Sequence, residues 1–284
     1  MLDIAPMRLL CVAAHPDDET IGAGALLARV SDPCIIHTTD GAPRDPRFRA
    51  PGWKESREAY ARARRGELER ALSEAGIDPR RAMSLGALDL EAIIAAPNLA
   101  LELALLMHDV RPDAIMTHAY EGGHPDHDAT ALAVHAARAL LIRRGDRAPV
   151  LFEMTSYHGG GGRFTAHAFL EPNEAAHIHG TERARVLGMS ERVMKRAMLA
   201  CFVSQATVLA PFACWIERTR PAPSYEFGRA PHQGLLWYER LGLGGSGAEW
   251  RARALDALKA LDLVTLANPA GFGSQGGEAA QPHG

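Results

Sequence analysis

This sequence predicts an α/β protein with a doubly wound, mainly parallel sheet, and three observations carry the prediction. Short apolar, strand-like runs at roughly 8–14, 33–39, 81–86, 112–118 and 149–155 alternate with helical stretches near 19–30, 52–75, 96–110 and 126–144. Such alternation makes βαβ units, and hence a sheet covered by helices on both faces. Two nearly identical segments, His15-Pro16-Asp17-Asp18-Glu19 and His124-Pro125-Asp126-His127-Asp128, each stand where a strand hands over to a helix. Finally, no repeat or clear linker divides the chain, which favours one domain over 1–267: a core over 1–156 and α+β additions over 157–267 that shape a substrate site.

The elements follow in order. Leu9-Leu10-Cys11-Val12-Ala13-Ala14 is an unbroken apolar run, as in a strand buried on both faces. Pro16 suits the first turn of the helix after it, where a missing N–H costs nothing. The second strand contains Cys34 and His37, read as a small apolar thiol and a hydrogen-bonded core histidine. Helix 52–75 sets Arg57, Arg62, Arg64, Arg65, Glu67, Glu69 and Arg70 against Tyr60, Ala63, Leu68, Ala71 and Leu72. Asp89 to Pro97 reads as a loop leading into the third helix. Ala114 to His118 forms the fourth strand, and Pro125 opens the fourth helix.

Past about residue 156 the pattern weakens. Gly159 to Gly162 is a loop or hairpin, 163–171 alternates like a strand, and 181–209 reads as helical. Arg220-Pro221-Ala222-Pro223 is a breaker before a further strand at Ser224 to Gly228. An amphipathic helix runs from Ala248 to Leu261, and the Gly-, Ala-, Pro- and Gln-rich stretch 268–284 is expected to be disordered.

Composition narrows the function. The chain has 284 residues, 47% hydrophobic and 23% charged, enough to bury a sizeable core. A formal charge of −3 supplies no basic field for nucleic acid. No apolar run approaches the roughly 18 residues of a membrane span. The N-terminus shows no secretory pattern, and Cys11, Cys34, Cys201 and Cys214 lack zinc-finger or redox spacing. A cytoplasmic protein acting on a small molecule is expected; a homo-oligomer remains compatible with this composition.

The paired segments carry the chemistry. In the strand order 3-2-1-4-5, common for right-handed crossovers, the first and fourth strands are neighbours. Their carboxyl ends then flank the switch point where such sheets bind ligands. Residues three apart on a helical turn converge, so His15 and Asp18 meet, as do His124 and His127. Two imidazoles and one carboxylate, from His15, Asp18 and His127, suit a catalytic zinc with one position open; iron or cobalt is also compatible. Asp17 is left to take a proton from the attacking water. His124 is left to face the carbonyl, stabilising an oxyanion as an imidazolium, with Asp126 orienting it. His118 ends the fourth strand behind this group, and His158, just after the fifth strand, is a pocket-lining candidate.

These segments resemble those of the LmbE-like, PIG-L-type N-deacetylases, zinc hydrolases of N-acetylglucosaminyl conjugates with a Rossmann-like fold. The resemblance rests on Ala14 to Glu19 and Gly123 to His127, with weaker agreement at Thr39-Asp40-Gly41 and Arg64-x-x-Glu67. It covers residues 7–155 well and the remainder poorly. It implies zinc on His15, Asp18 and His127, Asp17 as base, and His124 on the oxyanion side with Asp126 as partner. It also implies that Arg64 and Asp89 contact sugar hydroxyls. Some sugar-conjugate deacetylases have a tyrosine two residues before the second segment. Here that position is Gly122, so Tyr120 or Tyr157 takes the role, or His124 acts without it.

The expected activity is therefore zinc-dependent removal of an N-acetyl or N-acyl group from an amino-sugar or related small conjugate. The alternatives are an amidase of a thiol-sugar conjugate, a metal-dependent phosphoesterase, and a non-catalytic ligand-binding module. A dinucleotide-binding domain is disfavoured, because no Gly-x-Gly-x-x-Gly follows the first strand.

Overall fold

β1 (Leu9–Ala13) is buried along its whole length, and its side chains sort by parity onto the two faces of the sheet. Leu10 and Val12 join one apolar cluster; Leu9, Cys11 and Ala13 join the other. That is the two-residue period of a strand covered on both sides. The computed structural model describes residues 7–171, 176–177 and 180–263. Within them the chain proceeds through α1 (Asp18–Leu27), β2 (Cys34–Pro43), α2 (Arg57–Glu74), β3 (Ala82–Asp89), α3 (Ala92–Val110), β4 (Ala114–His118), α4 (Pro125–Arg144) and β5 (Val150–Met154).

The strands stand in the order β3-β2-β1-β4-β5, all parallel. Cys11 pairs with Ile35 on β2 and with Met116 on β4, so β1 and β4 are hydrogen-bonded neighbours. Two further strands, β6 (Arg183–Val186) and β7 (Ile216–Pro221), extend the sheet beyond β5 in antiparallel register, Thr219 opposite Met154 and Ile216 opposite Val186. Helices α3 and α4 cover one face together with α8 (Gly247–Ala260), while α1, α2 and α5 (Met189–Ala200) cover the other.

Several expectations are corrected. Segment 181–209 is not one helix: it contains β6, α5 and the short α6 (Ala206–Leu209). Alternation at 163–171 yields only the two-residue strand Thr165–Ala166, and Ser224 to Gly228 only Ser224–Tyr225. The third helix starts at Ala92, inside the expected loop, and contains Pro97. Burial of Ala92, Ile93 and Ala96 in the core outweighs the hydrogen bond that the proline forfeits. By length and composition alone α3 could cross a bilayer, but Ala100, Leu103 and Met107 continue its buried face. The stretch 268–284 lies outside the described residues.

The additions grip the core through buried charge. α1 breaks at Ala23 (φ −146°), which frees backbone groups on either side. Glu217 on β7 accepts from Ala25 N and Leu26 N, and Lys195 on α5 donates to Ile21 O and to Glu217, each within 3.0 Å. A second buried cluster joins Glu121, Glu153, Arg220 and Tyr225, with Arg220 Nε donating to Glu153 at 2.8 Å. Burial pushes Glu153 up to about 7 and Glu121 to about 8, because one guanidinium cannot neutralise two carboxylates. Both therefore hold protons in the native state that the unfolded chain releases above about pH 4.3. Their contribution to stability is complete below that pH and is lost as pH rises through 7–8. Relative to Glu153→Gln, the wild-type protein should lose about 1–3 kcal/mol between pH 6 and 9, read from urea midpoints. Parallel curves for the two proteins would rule this out.

Candidate metal centre and pocket

Both paired segments lie at the carboxyl ends of β1 and β4, and the adjacency of these strands brings the segments face to face. His15 and His124 rings meet edge-on at 4.6 Å between centroids, and His127 lies 5.1 Å from His124 and 5.4 Å from His15. Asp18 stands between the two outer rings: its Oδ2 is 3.1 Å from His15 Nδ1 and its Oδ1 3.1 Å from His127 Nε2. Asp18 also accepts from the His15 backbone N at 2.8 Å. Asp18 thus touches both histidines of the expected set through different oxygens, while the donor atoms that converge among the described residues are those of His15, His124 and His127, of Asp18, His118 and His127, and of His15, Asp89 and Asp126.

These donors fit a metal ion of the zinc type. Two imidazoles and a carboxylate are donor types that such an ion takes, and each of the two ring nitrogens lies 3.1 Å from one of the Asp18 oxygens. Charge agrees: among the described residues, Asp17, Asp18, Asp89 and Asp126 cluster here beside the single guanidinium of Arg64. Burial opposes charge on His15, but Asp89, Asp126 and Asp18 outweigh it and raise its pKa. Surroundings that hold a proton there also favour a divalent cation. Burial lowers His127 to about 4, so its ring is neutral, with Nε2 facing Asp18 Oδ1. Asp18 is held well below the usual range, with His127 and His118 overcoming the cost of its burial.

His118 stacks on His127 at 4.0 Å, but its Nε2 accepts Ala14 N–H at 3.0 Å, which commits that lone pair. It stands behind the centre, where its Nε2 is also 3.4 Å from Asp18 Oδ2 and converges with the donors of Asp18 and His127.

Asp17 occupies the N-cap of α1 in a strained backbone conformation, φ +143°, with no capping bond from its side chain. Its backbone N donates to Glu19 Oε2 (3.1 Å), which also faces His37 Nε2 at 2.9 Å. This buried brace gives His37, read from sequence as a core histidine, a place in the site's support. Burial raises Asp17 to about 7 against the pull of Arg64, whose guanidinium donates to its Oδ2 at 3.2 Å.

The second segment is assembled differently from expectation. His124 is the N-cap of α4, and its Nδ1 accepts the Asp126 backbone N–H at 3.2 Å. Burial lowers its pKa well below the ordinary value. It is therefore a neutral ring with its proton on Nε2, not an imidazolium. The Asp126 carboxylate turns away from His124: it lies 3.2 Å from His15 Nε2 and accepts from Leu90 N and Ala92 N. The unsatisfied N-terminus of α3 draws it there. Asp128 accepts from Glu121 N and Gly122 N, fixing the loop before His124, and Trp250 Nε1 on α8 donates to Pro125 O. Gly123 is required by space, since a Cβ there would stand 2.0 Å from the Tyr157 carbonyl oxygen.

The other expected substrate contacts divide. Asp89, Arg64 and Tyr157 line a cavity of about 360 Å³ above the centre. Arg64, however, gives Nη2 to Asp17 and Pro16 O, leaving Nε without a hydrogen bond, and Asp89 stands 3.3 Å from His15 Nε2. Tyr157 packs its ring edge on His127, and burial together with Asp18 and Asp17 raises its pKa, keeping the phenol protonated. Tyr120 faces the opposite layer, where it stacks on Trp250 and donates to Arg229 O. His158 lies outside the cavity, its Nδ1 accepting from Gly160 N. Sequence reading missed Gln205, Val208, Leu209, Phe212, Leu241 and Leu243, which complete the cavity wall. They come from the half without periodic signal.

The protein is thus a doubly wound α/β sheet with a His/Asp cluster at its switch point that could hold a cation. Residues 10–138 match the PIG-L family profile, described as GlcNAc-PI de-N-acetylase. A 1D-myo-inositol 2-acetamido-2-deoxy-alpha-D-glucopyranoside deacetylase of Kineococcus radiotolerans is 30% identical over 183 residues, 50% of this chain and 46% of the relative. The chain spans about half the length of the curated relatives it matches. Among solved structures, a deacetylase of the teicoplanin biosynthesis pathway superposes with a TM-score of 0.57 at 18% identity, over 76% of this chain and 98% of that one. GalB, the 4-carboxy-2-hydroxymuconate hydratase of Pseudomonas putida KT2440, superposes at 0.52 and 16% identity, over 72% and 82%. The fold thus serves a hydratase as well as deacetylases, and function must be argued from the site.

Proposed function

We propose that this chain hydrolyses the N-acetyl or N-acyl amide of an amino sugar or related small conjugate. One observation carries the reading: Asp17, raised to about 7, stands beside a three-donor centre and faces a neutral histidine across one cavity. The curated relatives' activity on an acetamido-deoxyglucopyranoside supports an amino-sugar amide. His15, Asp18 and His127 would hold zinc, with iron(II) or cobalt(II) suited to the same donors; when bound, the ion supplies Lewis acidity and a more acidic water.

The chain's own groups do the rest. An Asp17 oxygen accepts the proton of the attacking water, and a pKa near 7 lets it give that proton to the leaving amine. Arg64 fixes the orientation of that carboxylate. His124 offers Nε2–H to the carbonyl oxygen as negative charge develops, and its tautomer is set by the Asp126 backbone N–H. Tyr157 supplies a second protonated donor at the cavity wall. Asp126 and Asp89 orient His15.

Acetate release from a panel of N-acetyl amino-sugar conjugates, with chelator and metal add-back, tests this. Release that chelation abolishes and zinc restores is expected. Full activity in metal-free protein would overturn the metal dependence, and no release from any conjugate by metal-loaded protein would overturn the hydrolase reading.

A further inference from the structure

The cavity has a polar floor and apolar walls. Above the histidines and carboxylates, its sides are Phe48 from the loop after β2, Val208, Leu209 and Phe212 around α6, and Leu241 and Leu243 at the end of α7 (Trp237–Leu241). Three separate segments therefore turn large apolar side chains toward one opening. Val208 is 56% exposed, Leu241 51% and Phe48 36%, so apolar surface is left open to water at the mouth. Apolar surface gathered at one rim marks a place where something apolar docks.

The groups that could meet hydroxyls, Asp17, Arg64, Asp89, His124 and Tyr157 among them, lie on the floor and not on these apolar walls. Arg64 gives Nη2 to Pro16 O and Asp17 while its Nε makes no hydrogen bond, and Asp89 faces His15 through Oδ1, all of them on the floor. Gln205 Nε2 donates to Tyr60 Oη at 2.7 Å, and that oxygen also accepts Ala50 N–H. A ring of free hydroxyls placed among these walls would lose water partners without replacing them.

Resting on the hydrolase reading above, we infer that the substrate carries an apolar group, an alkyl chain or aromatic ring, next to the amide it presents to the centre. That group lies between Phe48, Phe212 and Leu241, and the amide lies on the floor. It can enter on the acyl side of the amide or as an aglycone on the sugar; the chemistry recognised is the same.

Metal-loaded protein would be compared on N-acetylglucosamine, its methyl to hexyl glycosides, and the N-acyl series from acetyl to hexanoyl. In one series kcat/KM should rise about 3- to 4-fold per methylene buried, reaching about 10²-fold at the hexanoyl member or about 10²–10³-fold at the hexyl member. The responding series identifies the side on which the group enters. In the Val208→Asp/Leu241→Asp protein the long-to-short ratio should fall toward one. Calorimetric binding of hexyl against methyl glucosaminide and of N-hexanoyl- against N-acetylglucosamine separates the two ideas. Turnover with neither rate nor binding dependent on chain length overturns the apolar site and leaves the hydrolase. Chain-length-dependent binding without turnover keeps the apolar site and removes the hydrolase reading. Absence of both overturns both.

Discussion

Replacing Asp17 by asparagine is expected to leave metal content unchanged and to lower kcat by about 10²–10⁴-fold. The backbone should tolerate the change, because asparagine matches aspartate in size and shape and meets the same conformation at φ +143°. The amide oxygen can still accept from Arg64, so the guanidinium keeps a partner. What disappears is a group that can take a proton. Metal analysis and steady-state kinetics on the same preparation would check both halves of the expectation, and a variant with unchanged kcat would remove Asp17 from the chemistry.

His127→Ala should instead lose the ion. Its neutral Nε2, 3.1 Å from Asp18 Oδ1, is the only donor the fourth helix contributes to the proposed set. Removing a donor should weaken binding beyond the 10–100-fold that follows loss of a supporting hydrogen bond. The necessary contrast is His124→Ala. His124 Nδ1 is occupied by the Asp126 N–H, so this variant should keep the ion while losing turnover. His15, His124 and His127 are themselves close enough to form an all-histidine triad. If His124→Ala loses metal as completely as His127→Ala, that triad is the true ligand set and Asp18 is displaced from it.

The strand order was legible because period and handover are local signals: apolar runs of strand length, each ending at a turn and helix start. The face-to-face placement of the two segments followed from that order alone. Side-chain direction was not legible. Asp126 turns to His15 because the first amides of α3 need an acceptor, and no spacing within its own segment reveals that need. Tyr120 looked available by position, yet Tyr225, Phe227 and Trp250 draw it into the opposite layer. Arg64, one arginine among several on a charged helix, proved to be the buried one that meets Asp17. Strand β6 escaped because charged residues interrupt it at the edge of the sheet, and β7, inside the sheet, because Glu217 and Arg220 meet buried charged partners there in place of an apolar run.

The adjacency of β1 and β4 also has a consequence for the order of events during folding. His15 and Asp126, which touch in the native protein, are 111 positions apart in the chain. They meet only once two intervening strands and three helices have been laid aside and the centre of the sheet has zipped. Closing so long a loop comes late and slowly compared with helix formation. An ion that needs both segments can bind tightly only after that closure. Its uptake would then serve as a clock for the docking of the two halves of the sheet, and would hold the last-formed contact shut.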